Sequence, residues 1–113
     1  MKIQVLLLSE NEVASLISID EVLGLVESAF KEDALGYTQM PSKVYLQYAK
    51  YNGDLRTMPA YLERLDTSAF KLVNVHPDNP KKYGMPTVMA TIILVNPRNG
   101  SLLSIMGENK SLP

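Results

Sequence analysis

Cysteine and tryptophan are both absent from the 113-residue sequence. Without thiols there are no disulfides, no thiolate nucleophile and no cysteine-ligated zinc, and the composition leans toward a cytoplasmic setting. Histidine occurs once, at His76, which excludes metal sites built from several histidines and leaves a Ser-His-Asp arrangement a single candidate base. The six glycines are scattered at positions 24, 36, 53, 84, 100 and 107, so neither a Gly-x-Gly-x-x-Gly fingerprint nor a P-loop exists. An excess of one charge is also missing: 11 Lys and Arg stand against 12 Asp and Glu, for a net charge of −1. That balance gives no basic face for nucleic acid or an anionic membrane. Long apolar runs are lacking as well. Val5 to Leu8 is followed at once by Glu10 and Glu12, too short for a secretory signal or a membrane span.

What remains is an ordinary globular composition, 46% hydrophobic and 20% charged, in a length that suits one domain over residues 1–113. Lys2 to Leu8 reads as a strand. Ser9 with Glu12, and Ser18 with Glu21, repeat the S-x-x-E capping box and predict two helix starts. The first helix is short, about Asn11 to Leu16. The second carries Ile19, Val22, Leu23, Val26, Ala29, Phe30 and Leu35 on one face and ends at Gly36. Beyond Pro41 the period changes to two, predicting strands at Lys43 to Tyr48, Leu55 to Leu62, Ser68 to Val75, Thr87 to Val95 and Ser101 to Met106. Asn96 to Gly100 is the turn of a hairpin between the last two. The expected fold class is α+β: a mixed sheet of about six strands with the two amino-terminal helices packed on one face.

Several side chains invite a chemical reading. Lys71 sits in the otherwise apolar strand 69–75 and shares its face with Ala69, Val73 and Val75. An ammonium held there calls for an anionic partner, unless its stem carries the charge to solvent from an edge strand. Lys43 and Arg56 lie on neighbouring strand candidates, so three cations converge on a small carboxylate if those strands pair; ordinary solvated charge is the alternative. Met58-Pro59 inside a strand requires an edge or a bulge. Tyrosines 45, 48, 51 and 61 offer phenols to a ligand or simply pack on the sheet. Between two strands, Val75-His76-Pro77-Asp78-Asn79-Pro80 and Gly84-Met85-Pro86-Thr87 form a proline-stiffened loop, either a ligand cover or a structural crossover.

In order along the chain, Leu8-Ser9-Glu10, Met58-Pro59-Ala60-Tyr61, Lys71 to Pro80 and Gly84 to Thr87 resemble the amino-terminal part of the ornithine cyclodeaminase and mu-crystallin family, which includes archaeal-type alanine dehydrogenases. The resemblance runs from about Val5 to Met106. It implies an NAD(P)-dependent enzyme of amino-acid metabolism, either a lyase taking ornithine to proline and ammonia or an oxidoreductase taking alanine to pyruvate. It further implies that this portion binds substrate and forms a homodimer or higher oligomer, while a Rossmann domain holds the cofactor. By motif, Lys71 matches the active-site lysine, Lys43 a cation for the substrate carboxylate, Met58 the pocket lining, and Thr87 a threonine near the nicotinamide; Arg56 joins Lys43, Met58 and Lys71 as an expected substrate-binding residue, and no metal is implied. Arginine is more usual at Lys43. Ornithine-specific members resemble Glu-x-Met-Pro where this chain has Arg56-Thr57-Met58-Pro59, which favours an alanine-like amino, imino or keto acid over ornithine. With no glycine fingerprint, the chain alone is expected to bind no NAD(P) and to be inactive, leaving a non-catalytic homodimeric or small-ligand-binding module as the alternative.

Overall fold

Ser9 and Ser18 each close a full capping box. The Ser9 hydroxyl accepts from the Glu12 amide while the Glu12 carboxylate accepts from the Ser9 amide, and Ser18 and Glu21 repeat the arrangement, all at 3.2 Å. These caps start α1 (Glu10–Leu16) and α2 (Ile19–Ala34). The second helix ends where Gly36 takes a left-handed φ of 83°, a conformation glycine adopts without a Cβ penalty. The computed structural model describes residues 3–107.

The described residues form seven strands: β1 (Leu6–Leu8), β2 (Thr38–Gln39), β3 (Val44–Tyr48), β4 (Gly53–Leu62), β5 (Thr67–Val75), β6 (Val88–Val95) and β7 (Leu102–Gly107). They form one sheet in the order β1-β7-β6-β5-β4-β2, with β3 also pairing to β4. The β1–β7 pair is parallel and the rest antiparallel, so the sheet is mixed and the class is α+β, as the sequence predicts. Of the predicted first strand, Lys2 lies outside the described residues. The predicted hairpin joins β6 to β7, closed by the Asn96 amide donating to the Ser101 carbonyl at 2.8 Å.

Three elements go beyond the sequence expectation: β2, a single 3-10 turn at Ala49–Tyr51, and a short helix before β6. β2 is only two residues long, too short for any alternation to register. Inside the proline-stiffened loop stands a short helix, α3 (Asn79–Tyr83), with Asp78 before it, Pro80 in its first turn and Gly84 left-handed at its end. That is the proline-first, glycine-last order of a helix, so its signal was in the sequence.

β4 organises the sheet. On one side it pairs with β5 along its full length. On the other it pairs with β3 from Gly53 to Thr57 and with β2 at Tyr61 and Leu62, leaving Met58, Pro59 and Ala60 without a strand neighbour. Pro59 has no N–H to donate, so it belongs in such a gap. The connection 40–43 between β2 and β3 lies along the chain opposite these three residues.

The helices touch the sheet at its rims. α1 lies beside β7, and α2 approaches the β2–β4 corner, where the Arg64 guanidinium clasps Glu32 of the helix through two hydrogen bonds of 2.6 and 2.8 Å and sits 4.3 Å over the Tyr37 ring. Among the described residues the buried hydrophobics are Val73 and Ala90, which face each other across β5 and β6. The radius of gyration is 16.0 Å, against roughly 13 Å for a closed domain of this length, so the sheet is an open slab.

Candidate functional site

The gap beside β4 opens into a cavity of about 620 Å³ lined by Met40, Lys43, Tyr45, Met58, Ala60 and Lys71, with Pro41, Ser42 and Pro59 completing its wall. The sheet register explains why these residues meet. Lys71 of β5 stands opposite Met58 of β4 on one side and Ile92 of β6 on the other, so its half-buried stem runs between two apolar neighbours on one sheet face. Lys43 comes from the β2–β3 connection, lines the same cavity and is exposed. A cavity bordered by two lysines and walled by methionine and alanine has the chemistry to accept a small anion whose remaining atoms are apolar.

Of the residues singled out from the sequence, Lys43, Met58 and Lys71 are thus brought together. Arg56 shares their sheet face but does not line the cavity. Its guanidinium is held by Asp54 through bonds of 2.7 and 3.2 Å and lies 5.1 Å over the Tyr45 ring. The hydrogen bond from Arg56 lowers the Asp54 carboxyl below its ordinary value of 3.8, against desolvation, which raises it; the charges of Arg56 and His76 assist the lowering. Arg56 therefore stiffens Tyr45 at the cavity rim. Thr87 stands one residue before β6, five positions from the Ile92 that faces Lys71, or roughly 16 Å along the strand. It does not reach this cavity.

Met40, Ser42, Tyr45 and Ala60 line the cavity without having been assigned to a site from the sequence; Tyr45 was only one of four candidate phenols. Pro59, in a strand yet at a gap, was the available clue. The other tyrosines have separate duties: Tyr61 donates to Asp66 at 2.9 Å, and Tyr48 stacks on His76 with ring centroids 6.0 Å apart. His76 packs so closely over Gly53 that a Cβ there would collide with the imidazole, which is why the strand begins with glycine. Buried Asn79 donates from Nδ2 to the Pro86 carbonyl at 3.1 Å and pins the His76–Thr87 loop. Among the described residues no group of His, Asp and Glu is placed to hold a metal, and no helix is long and apolar enough to cross a membrane.

Residues 3–111 match the model of the ornithine cyclodeaminase/mu-crystallin family. The chain belongs to this family. Among its family relatives, the alanine dehydrogenase of Archaeoglobus fulgidus is 52% identical over 103 residues, 91% of this chain but 30% of that protein. In structure, Thermococcus litoralis Delta(1)-pyrroline-2-carboxylate reductase, solved with NADH and L-proline, superposes with a TM-score of 0.84 at 40% identity, covering 90% of this chain and 31% of that one. An archaeal alanine dehydrogenase dimer with bound NAD gives 0.82 at 51% identity, covering 91% and 31%. The chain thus spans about 30% of the length of the family members it matches.

Proposed function

We propose that this chain is the substrate-binding portion of an NAD(P)-dependent amino-acid dehydrogenase or imino-acid reductase, in which Lys71 and Lys43 hold the substrate carboxylate. The observation that carries this reading is the cavity at the β4 gap, where two lysines from different elements face one apolar pocket. Its size lies within the range of small-molecule sites, and its walls suit a small 2-amino, 2-imino or 2-oxo acid.

In this reading Lys71, which stands between Met58 and Ile92, contacts the substrate carboxylate and the 2-oxo or 2-imino atom beside it, where an ammonium favours the negative charge that develops on that oxygen or nitrogen as the carbon is reduced. Lys43, on the β2–β3 connection, supplies the second charge as a point cation, since an ammonium cannot make the two-pronged bond of a guanidinium. Arg56 holds the rim through Tyr45, and Met58 shapes the floor. The relatives' names favour alanine, proline or cyclic imino acids over ornithine, in keeping with Arg56 where an acid would be needed to receive a side-chain ammonium.

A dinucleotide requires a glycine-rich turn between a strand and a helix, and none of the described strand–helix junctions has one. The residues present do not fit NAD(P), so their part in the reaction is to bind and orient the acid. In this reading Thr87 belongs to the edge facing a separate cofactor-holding part, and the protein works as a homodimer or higher oligomer.

Calorimetric titration of pyruvate into the 113-residue chain tests the site. Lys71→Ala is expected to weaken binding at least tenfold, by loss of a charge-assisted contact worth about 1.5–3 kcal/mol. Equal affinities for the parent and the variant would refute the assignment.

A further inference from the structure

Two hydroxyl-bearing residues line the lysine cavity, Ser42 and Tyr45; apart from the lysines, the rest of the lining is methionine, proline and alanine. Ser42 belongs to the β2–β3 connection, which no strand pairing holds. Tyr45 is on β3, directly opposite Arg56 of β4, and its ring lies 5.1 Å beneath a guanidinium that Asp54 grips through two hydrogen bonds. The ring is therefore held from one face, and its hydroxyl, unlike that of Tyr61, takes no hydrogen-bond partner among the described residues. Arg56 pairs with Val73 of β5, two residues from Lys71, so Tyr45 and Lys71 rise from the same sheet face with β4 between them. Two strand spacings and two residues put their Cα atoms roughly 12 Å apart, a gap that one small acid can bridge.

Resting on the reading of Lys71 and Lys43 as a carboxylate clamp, we infer that the Tyr45 hydroxyl reads the 2-substituent of the acid and lets one site hold both the 2-oxo and the 2-amino form. An ammonium has only protons to give. The two lysines can therefore grip a carboxylate, and Lys71 a 2-oxo oxygen, but a 2-ammonium group meets only repulsion from them. A phenol hydroxyl both donates and accepts. It donates to the second lone pair of a 2-oxo oxygen, and it accepts an N–H when the same position carries an ammonium. Phenylalanine at position 45 keeps a ring beneath Arg56 and the shape of the rim, so that substitution removes the hydroxyl alone.

The test is a calorimetric titration of pyruvate, L-alanine and propanoate into the 113-residue chain and into its Tyr45→Phe, Ser42→Ala and Lys71→Ala variants. Tyr45→Phe is expected to weaken pyruvate and L-alanine about fivefold each, through loss of one hydrogen bond, and to leave propanoate, which has no 2-substituent, unchanged. Lys71→Ala should weaken all three, since all three carry the carboxylate. Ser42→Ala should weaken none. Equal losses for the three acids in Tyr45→Phe would make the tyrosine a support of the clamp and overturn its role at the 2-position. No loss for any acid would overturn that role as well, and so would a selective loss appearing in Ser42→Ala instead. In each of these cases the clamp stands if Lys71→Ala still weakens pyruvate. Failure of every acid to bind the parent chain would overturn the clamp, and the reading of Tyr45 with it.

Discussion

Asp54 and Arg56 lie two positions apart on one strand face, and their paired hydrogen bonds carry a consequence for acid stability. The Asp54 carboxyl is held below its ordinary value of 3.8, first by the Arg56 hydrogen bond, and Glu32 is held below 4.5 by Arg64 in the same way. A carboxyl depressed in the folded state stabilises it at every pH above the unfolded value. That contribution fades as pH falls from the unfolded value through the folded one. Thermal melts of the parent and Asp54→Asn should therefore differ most near neutral pH and converge below about pH 4. A gap between the two curves that stays constant down to pH 2 would show that the pair adds nothing titratable. At this scale the sequence was partly legible. Lys71 declared itself because an ammonium among Ala69, Val73 and Val75 demands an explanation. The engagement of Arg56 with Asp54 did not, because a charged pair at i and i+2 matters only once the chain is known to be extended there.

Helix starts and strands follow from short-range chemistry, which is why the elements were the most readable part of the fold. Ser9 and Ser18 act on donors three residues away, and both boxes form as written. For α2 the Ser18 cap is the main local stabiliser of a terminus with little tertiary support, since Ile19 and Leu23 are 71% and 61% exposed. Ser18→Ala is expected to cost about 1 kcal/mol in urea denaturation, with Ser18→Asp restoring most of it. If Ser18→Ala unfolds at the same midpoint as the parent, helix entry is fixed by other contacts. What the sequence could not reveal was the gap beside β4. A strand that changes partner half-way, from β3 to β2, leaves no periodic trace, and Pro59 announces only that something is unpaired there. The candidate site sits in that gap, so its two lysines were legible as charges while its walls were not.

As a whole, the molecule exposes far more surface than its mass requires. A compact 12.6 kDa monomer presents roughly 6,200 Å², whereas this chain presents 8433 Å², with Leu6, Leu7, Phe30 and Met40 each more than half exposed. The difference is of the order that obligate interfaces cover. Sedimentation equilibrium of the isolated chain at micromolar concentration is expected to give a dimer or larger assembly. A stable monomer would contradict the oligomeric part of the proposal and require the apolar surface to be tolerated in water. The archaeal alanine dehydrogenase that this chain resembles at 51% identity is described as a dimer.

The parallel pairing of β1 with β7 bears on the order in which this protein comes into being. Leu6 faces Ser104 and Leu8 faces Met106, so the first of these strands to be synthesised has no neighbour until β7, the last of the seven, has left the ribosome. The antiparallel run from β3 to β6 can assemble while β1 waits, because each of its strands meets its partner across a connection of a dozen residues or fewer. Closing β1 onto β7 brings together the two most distant parts of the sheet, the step with the largest loop-closure cost. Translation halted before Ser104 would leave the amino-terminal strand, and the capped helix that follows it, without a place to dock.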